Sequence, residues 1–303
     1  MKILRAEHLG MCFGVRDAIA LALTEAERGP LTILGELVHN ETVLDLLRRR
    51  GIRLESQIPA APTSTVMITA HGASDRTLNR LRERGLNVLQ ATCPLVHVAH
   101  RAVAQLVREG YHPVIIGKAG HVEVRGLTED LDDYDLVLTE EDVSRLRERP
   151  RFGIAAQTTQ PIERVRHLVR LIQQRFPRSD VRFLDTVCQP TKQRQNAAVE
   201  LAQQCDVVIV VGGAHSNNTR ELVATCGRYC PRVHHVQCAA DVHSERLLGA
   251  ETIGLTAGTS TPDTVIDAVE ARLREVSFQL GSLAVPAPDS HQHDEQAVSL
   301  HAA

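Results

Sequence analysis

Three stretches of this chain carry the same plan. Cys12, Cys93 and Cys188 each open a helix-like run: CFGVRDAIALALTEAE, CPLVHVAHRAVAQLVREG and CQPTKQRQNAAVELAQQC. Each run is followed by a short apolar segment ending in a polar loop: LTILGELVHN with His39, PVIIGKAGHVEV with His121, and VVIVVGGAHSNNT with Ser216. The loop residue follows its cysteine by 27, 28 and 28 residues. A second strand-like segment and loop complete each unit: TVMITAHG with His71, RFGIAAQTT with Thr158, and TIGLTAGTS with Ser260. An offset repeated in this way is one architectural unit used three times, and it restricts the fold more than any single motif does.

Strands alternating with amphipathic helices predict parallel βαβ units, whose ligand loops lie outside the carboxyl ends of the strands. The expected fold is therefore α/β: three βαβ domains related by a pseudo-threefold axis, a trefoil with its strand ends inward. The divisions fall at 11–92, at 93–187 and at 1–10 together with 188–282, leaving 283–303 as a tail. Such an arrangement brings three thiols and six polar loops to one cavity. A single cysteine at a helix start is ordinarily a small hydrophobe; three at equivalent places, each beside polar loops, point to metal ligation. Thiolates hold iron–sulfur clusters, commonly four to a cubane. Three would leave one iron without a protein ligand, the open position that distinguishes catalytic from structural metal sites.

Composition narrows the partners. The 303 residues are 43% hydrophobic and 23% charged with a formal net charge of −3, and no basic stripe with interleaved aromatics is present. Nucleic acid is therefore not an expected partner. The longest apolar strand, VVIVV at 207–211, is far too short to cross a bilayer, and the expected location is the cytoplasm. Seven cysteines, an odd number spread along the chain, do not make a disulfide framework and fit a reducing compartment. Cys226, Cys230 and Cys238 lack a paired C-x-x-C and are read as crossing a helix end into a strand rather than as a second metal site. From about Val285 the pattern dissolves into a Pro/Ala/Gln/His-rich tail, expected to be disordered, with His291 and His293 solvated.

GMCFGV, ELVHN, TAHG, ATCPLV, AGHVEV, AQTT, DTVC and LTAGTS occur in that order across residues 1–280. The set closely resembles the 4-hydroxy-3-methylbut-2-enyl diphosphate reductases, the last enzymes of the methylerythritol phosphate route to isoprenoid precursors. The resemblance implies a three-domain trefoil enclosing a [4Fe-4S] cluster, reductive removal of an allylic hydroxyl, and isopentenyl and dimethylallyl diphosphate as products. It implies Cys12, Cys93 and Cys188 as cluster ligands, and His39, His71, His121, Ser216, Asn217, Asn218 and Ser260 as the diphosphate-binding set. Glu123 resembles the acid that supplies protons and Thr158 its hydroxyl partner. The chain departs from the commoner pattern at Asn217, His215 and Pro190, and Lys118 stands in a loop that often carries His or Glu.

The chemistry is consistent with these residue types. A diphosphate needs many donors, which imidazoles, serine hydroxyls, an asparagine amide and helix N-termini supply. An allylic hydroxyl leaves as water only if a proton reaches it, the task of a positioned carboxylic acid. Glu123 follows His121 by two, so in an extended loop the two side chains would share a side; the ordinary alternative is a surface glutamate paired with Arg125. Thr159 is read as capping a helix that begins near Pro161. GxGxxG and GxxxxGK patterns are absent, so electrons are expected from a protein carrier, flavodoxin or ferredoxin, rather than from a bound nucleotide. Arg48, Arg49 and Arg50 could meet such an acidic carrier, although a solvated helix face is the simpler reading. Two alternatives stand beside this one: another three-cysteine enzyme of dehydratase or quinolinate synthase type, and a non-catalytic iron–sulfur sensor.

Overall fold

The computed structural model describes residues 1–56 and 63–283; the tail from about Val285, with His291 and His293, lies outside them. The described strands form three parallel four-stranded sheets. In the first, β2 (Leu31–Leu34) and β4 (Thr65–Ile68) are central, flanked by β3 (Arg53–Glu55) and β5 (Asn87–Gln90). In the second, β6 (His112–Ile116) and β8 (Arg151–Ala156) are central, flanked by β7 (Asp135–Val137) and β9 (Asp180–Phe183). In the third, β10 (Val207–Val211) and β12 (Thr252–Ala257) are central, flanked by β11 (Val233–Val236) and by the first strand of the chain, β1 (Lys2–Arg5). Lys2 pairs in register with Thr252, so the chain closes on itself.

Each sheet is buried on both faces, which explains the uninterrupted apolar runs. Val207, Ile209 and Val211 pack on one side against α10 (Asp263–Leu283), while Val208 and Val210 pack on the other against α8 (Gln189–Ala202) and α9 (Asn217–Cys226). Full burial of each such side chain is worth about 1.5–3 kcal/mol. The second sheet is covered alike by α7 (Ile162–Arg175) on one face and α4 (Pro94–Arg108) with α5 (Val122–Thr128) on the other.

Three helices, α1 (Phe13–Arg28), α4 and α8, each follow an edge strand, β1, β5 and β9 respectively, and each has a cysteine as its N-cap. Ion pairs tie the units together around the centre. Arg164 on α7 forms a two-pronged pair with Glu221 on α9 at 2.8 and 3.0 Å. Arg16 on α1 meets Asp263 on α10 at 3.0 Å. The first two backbone N–H groups of α3 (Asp75–Glu83) donate to the Asp130 carboxylate at 2.7 and 3.0 Å, an anion at a helix N-terminus where the dipole favours it. Arg48 on α2 (Glu41–Arg49) pairs with Glu41 and Asp45 of its own helix, the solvated-face reading. Cys226 and Cys230 are buried beneath β10 and Cys238 is exposed. No helix of the described residues is long and apolar enough to cross a membrane.

Candidate active site

The backbone of each repeated cysteine is fastened in an equivalent way. Cys93 N–H donates to the Ala70 carbonyl (3.0 Å), Cys188 N–H to Thr158 (3.0 Å) and Cys12 N–H to Thr259 (3.2 Å). Each acceptor lies in the loop after the second central strand of a sheet, at or next to His71, Thr158 and Ser260. The cysteine places and the polar loops are thus joined by one repeated hydrogen bond. None of the three thiols is in a disulfide; backbone N–H groups of Leu95 and Val96 approach Cys93, and that of Thr191 approaches Cys188. Cys93 and Cys188 both lie within electrostatic reach of Cys12 and of Glu123.

Above them the three imidazoles His39, His71 and His121 gather, with ring centroids 4.6 to 5.5 Å apart. They wall a small cavity of about 40 Å³ together with Ser216, Asn218, Ser260 and Thr159. A wider cavity of about 440 Å³ shares His39 and His121 with it and is lined by Lys118, Arg125, His215 and Arg220. His39 Nδ1 lies 2.9 Å from a Glu36 carboxylate oxygen, an acceptor, so this nitrogen carries a proton. His121 is the N-cap of α5, and its Nδ1 accepts from Glu123 N–H at 3.2 Å, which places the proton of the neutral ring on Nε2. The Asn218 carbonyl oxygen accepts from Thr259 N–H (2.9 Å), while its amide nitrogen is buried without a partner. An orphaned buried donor is costly and marks where an anionic ligand would be received. Asn217 is also buried with an unpartnered amide nitrogen, yet it does not line the cavity as Ser216 and Asn218 do.

Glu123 is 1% exposed. Its carboxylate accepts from Thr158 N–H at 2.7 Å, and burial pushes its pKa up to about 7, against the opposing hydrogen bonds from Thr158. Two expectations are corrected here. His121 and Glu123 do not sit in an extended loop: the chain turns helical at Val122, so His121 caps the helix and Glu123, in its first turn, is directed inward, away from Arg125. Thr159 does not cap α7, whose N-cap is Pro161 without a side-chain bond; its hydroxyl accepts from Gln157 (3.2 Å) and lines the imidazole cavity.

The family described as LytB protein matches residues 3–274. The chain belongs to the LytB family. Among curated relatives, 4-hydroxy-3-methylbut-2-enyl diphosphate reductase of Pelobacter propionicus is 35% identical over 91% of this chain and 99% of its own. The enzyme of that name from Aquifex aeolicus is 36% identical over 90% and 96%. A solved structure of (E)-4-hydroxy-3-methyl-but-2-enyl diphosphate reductase, described as the terminal enzyme of the non-mevalonate pathway, aligns with a TM-score of 0.65 at 36% identity, covering 90% of this chain and 99% of that one. The Plasmodium falciparum reductase shares the fold, with a TM-score of 0.81 at 24% identity over 98% and 95% of the two chains.

Several residues of this LytB site escape a reading by motif. Thr191 Oγ1 lies 3.0 Å from Cys188 Sγ; the signal was its i+3 spacing from a helix-opening cysteine, which puts both on one face. Gly14 packs against Cys93, and a Cβ there would lie 2.4 Å from its sulfur. Glu36, the partner of His39, is signalled only by the three-residue separation. The thiol set fits a multi-iron cluster better than one ion. Among the described residues the three histidines are the one group of candidate ligands whose atoms all lie within 4.8 Å; the cysteine sulfurs stand further apart. Burial pushes Cys188 up to about 11 and raises Cys93 as well, so these groups become thiolates only beside a compensating cation such as a metal centre.

The imidazoles carry a pH signature. Burial first, then the neighbouring histidines, hold His71 well below the usual range. Burial, His39 and the cations Lys118, Arg125 and Arg220 lower His121 to about 4. Both are neutral at pH 7 in the free LytB protein. A bound anion raises both values, so pyrophosphate should bind with net proton uptake and more tightly as pH falls from 8 to 6. Calorimetry in buffers of different ionisation enthalpy measures the uptake, and His71→Gln should diminish it. Equal uptake in wild type and His71→Gln would mean that the ring donates only as neutral imidazole.

Proposed function

We propose that this LytB chain is a 4-hydroxy-3-methylbut-2-enyl diphosphate reductase that removes the allylic hydroxyl of its substrate, giving isopentenyl and dimethylallyl diphosphate. One observation carries the reading: the first turn of α5 joins two sites, with His121 in the imidazole cavity and Glu123, two residues on, buried beside Thr158 and the thiols. A molecule with an anionic tail and a reducible head would span that distance, tail among the donors and head toward the sulfurs.

Cys12, Cys93 and Cys188 would hold the [4Fe-4S] cluster, which when bound supplies electrons one at a time and a Lewis-acidic iron. The chain's own groups do the rest. His39, His71, His121, Ser216, Asn218 and Ser260 orient the diphosphate; Asn217, buried at the start of α9, does not line that cavity. Two electrons and two protons enter as the C–O bond breaks, a C–H bond forms and water leaves. Glu123, protonated near neutrality, holds a proton where the hydroxyl departs, and Thr158 fixes its carboxyl. Electrons would come from flavodoxin or ferredoxin in a cytoplasmic setting. The domain divisions at 11–92, 93–187 and 1–10 with 188–282 are proposed as the rigid parts.

Anaerobically reconstituted protein with a reduced viologen should convert the substrate to the two products; a loaded cluster without turnover would overturn the reading. Asn218→Ala should raise KM about tenfold, the loss of one hydrogen bond to a charged group, with kcat changed little because ground and transition states share that contact. An unchanged KM with a large loss of kcat would mean these loops do not hold the phosphate.

A further inference from the structure

A buried cation close to the thiols has no carboxylate. Arg194, on the second turn of α8, is 8% exposed. Its Nε donates to the Gly10 carbonyl (2.9 Å) and one terminal nitrogen to the Pro190 carbonyl (3.0 Å). Gly10 stands two residues before Cys12, and Pro190, two after Cys188, lies one turn back on Arg194's own helix, so the guanidinium ties the loop before Cys12 to the first turn of α8. Among the described residues it forms no ion pair. Arg16, the neighbouring cation, is exposed and paired with Asp263 at 3.0 Å. Glu123 acts on the Cys93 and Cys188 side and is bonded to Thr158 instead.

Burying a charge is costly unless an opposite charge compensates it. Carbonyl dipoles satisfy the donors of Arg194 but leave its charge unbalanced. The groups that favour its charged form are Cys12 and Cys188, and they balance it only as thiolates.

Building on the cluster reading above, we propose that Arg194 is the internal counter-charge of the thiolate-held cluster and favours its reduced state. Three thiolates on a dicationic [4Fe-4S] core sum to one negative charge, and one added electron makes two. A fixed guanidinium in a water-poor interior stabilises the second state more than the first, making the cluster easier to reduce. Arg194 is a positioning residue: it acts through the sulfurs and touches no substrate.

Potentiometric titration of the reconstituted holoenzyme, with dithionite as electron source and the reduced cluster followed by electron paramagnetic resonance, reads this directly beside iron content. Arg194→Lys, which keeps the charge, should reduce within about threefold of wild type in equilibrium constant. Arg194→Gln should be at least tenfold harder to reduce, equivalent to 59 mV more negative for one electron, or should fail to keep iron where Arg194→Lys keeps it. A wild-type potential in Arg194→Gln, or equal iron loss in both variants, would overturn the proposal and leave Arg194 a backbone clamp. Wild-type protein that takes up no cluster would instead overturn the cluster reading itself.

Discussion

Glu123→Gln is expected to lower turnover by about 10²–10⁴-fold, the usual contribution of a general acid, while iron content and pyrophosphate binding stay near wild type. Glutamine keeps the shape and an oxygen that can accept from Thr158 N–H, so the loop that fastens Cys188 through the Thr158 carbonyl should hold. What is lost is the proton. The same group gives a second readout that needs no cluster. In the folded chain Glu123 titrates near 7 rather than 4.5, so the unfolded chain releases this proton first as pH rises. Above about 4.5 the carboxylate therefore costs folding free energy, and the penalty grows until about pH 7 and then stays constant. Glu123→Gln should match wild-type apoprotein stability near pH 4 and exceed it near pH 8, by roughly 3 kcal/mol at most at 1.36 kcal/mol per pKa unit. Denaturant unfolding at the two pH values checks it. Turnover within a few-fold of wild type would show that protons arrive by another route.

Gly14→Ala is expected to remove most of the cluster without unfolding the protein. Two effects oppose each other at this position. Alanine favours a helix interior over glycine by up to about 1 kcal/mol, but Gly14 is only the second residue of α1, so the gain there is smaller. Its methyl group, however, would lie 2.4 Å from Cys93 Sγ and 3.0 Å from Cys93 Cβ, and one of the two helices must retreat. The retreat separates Cys12 from Cys93. Single Cys12→Ser, Cys93→Ser and Cys188→Ser variants should lose most of their iron by direct loss of a ligand. Gly14→Ala should resemble them in iron while the apoprotein stays folded, less stable than wild type by about 1–3 kcal/mol, the usual cost of overpacking. Full iron in Gly14→Ala, or in all three serine variants, would contradict the ligand assignment.

The parts of this site that are legible from sequence are those set by periodicity and repetition. Strands buried on both faces must be apolar throughout, so VVIVV and its counterparts announce themselves, and the loops after them inherit their places. The cysteines, His39, His71, His121, Ser216, Asn218 and Ser260 were visible for that reason. Local geometry was harder to read. Whether Glu123 lies in a loop or a helix turns on one backbone change at Val122, and a short helix leaves a weak periodic signal. Thr159 had the right residue type for a cap, but Pro161 took that position. Arg194 carried no signal, because its meaning lies in two carbonyls, one of them at Gly10, far away along the chain. Contacts made at a fold's centre by residues remote in sequence have no local pattern.

The closing of the chain by β1 sets an order of events in the cell. The amide of Cys12 is made well before its acceptor, the carbonyl of Thr259. The strand that carries β1 into its sheet, β12, is made equally late. Cys12 is therefore secured only once Thr259 and β12 have been made, and the three sulfurs hold their mutual positions only after that. A chain halted before β12 would display Cys93 and Cys188 fastened to their loops and Cys12 adrift.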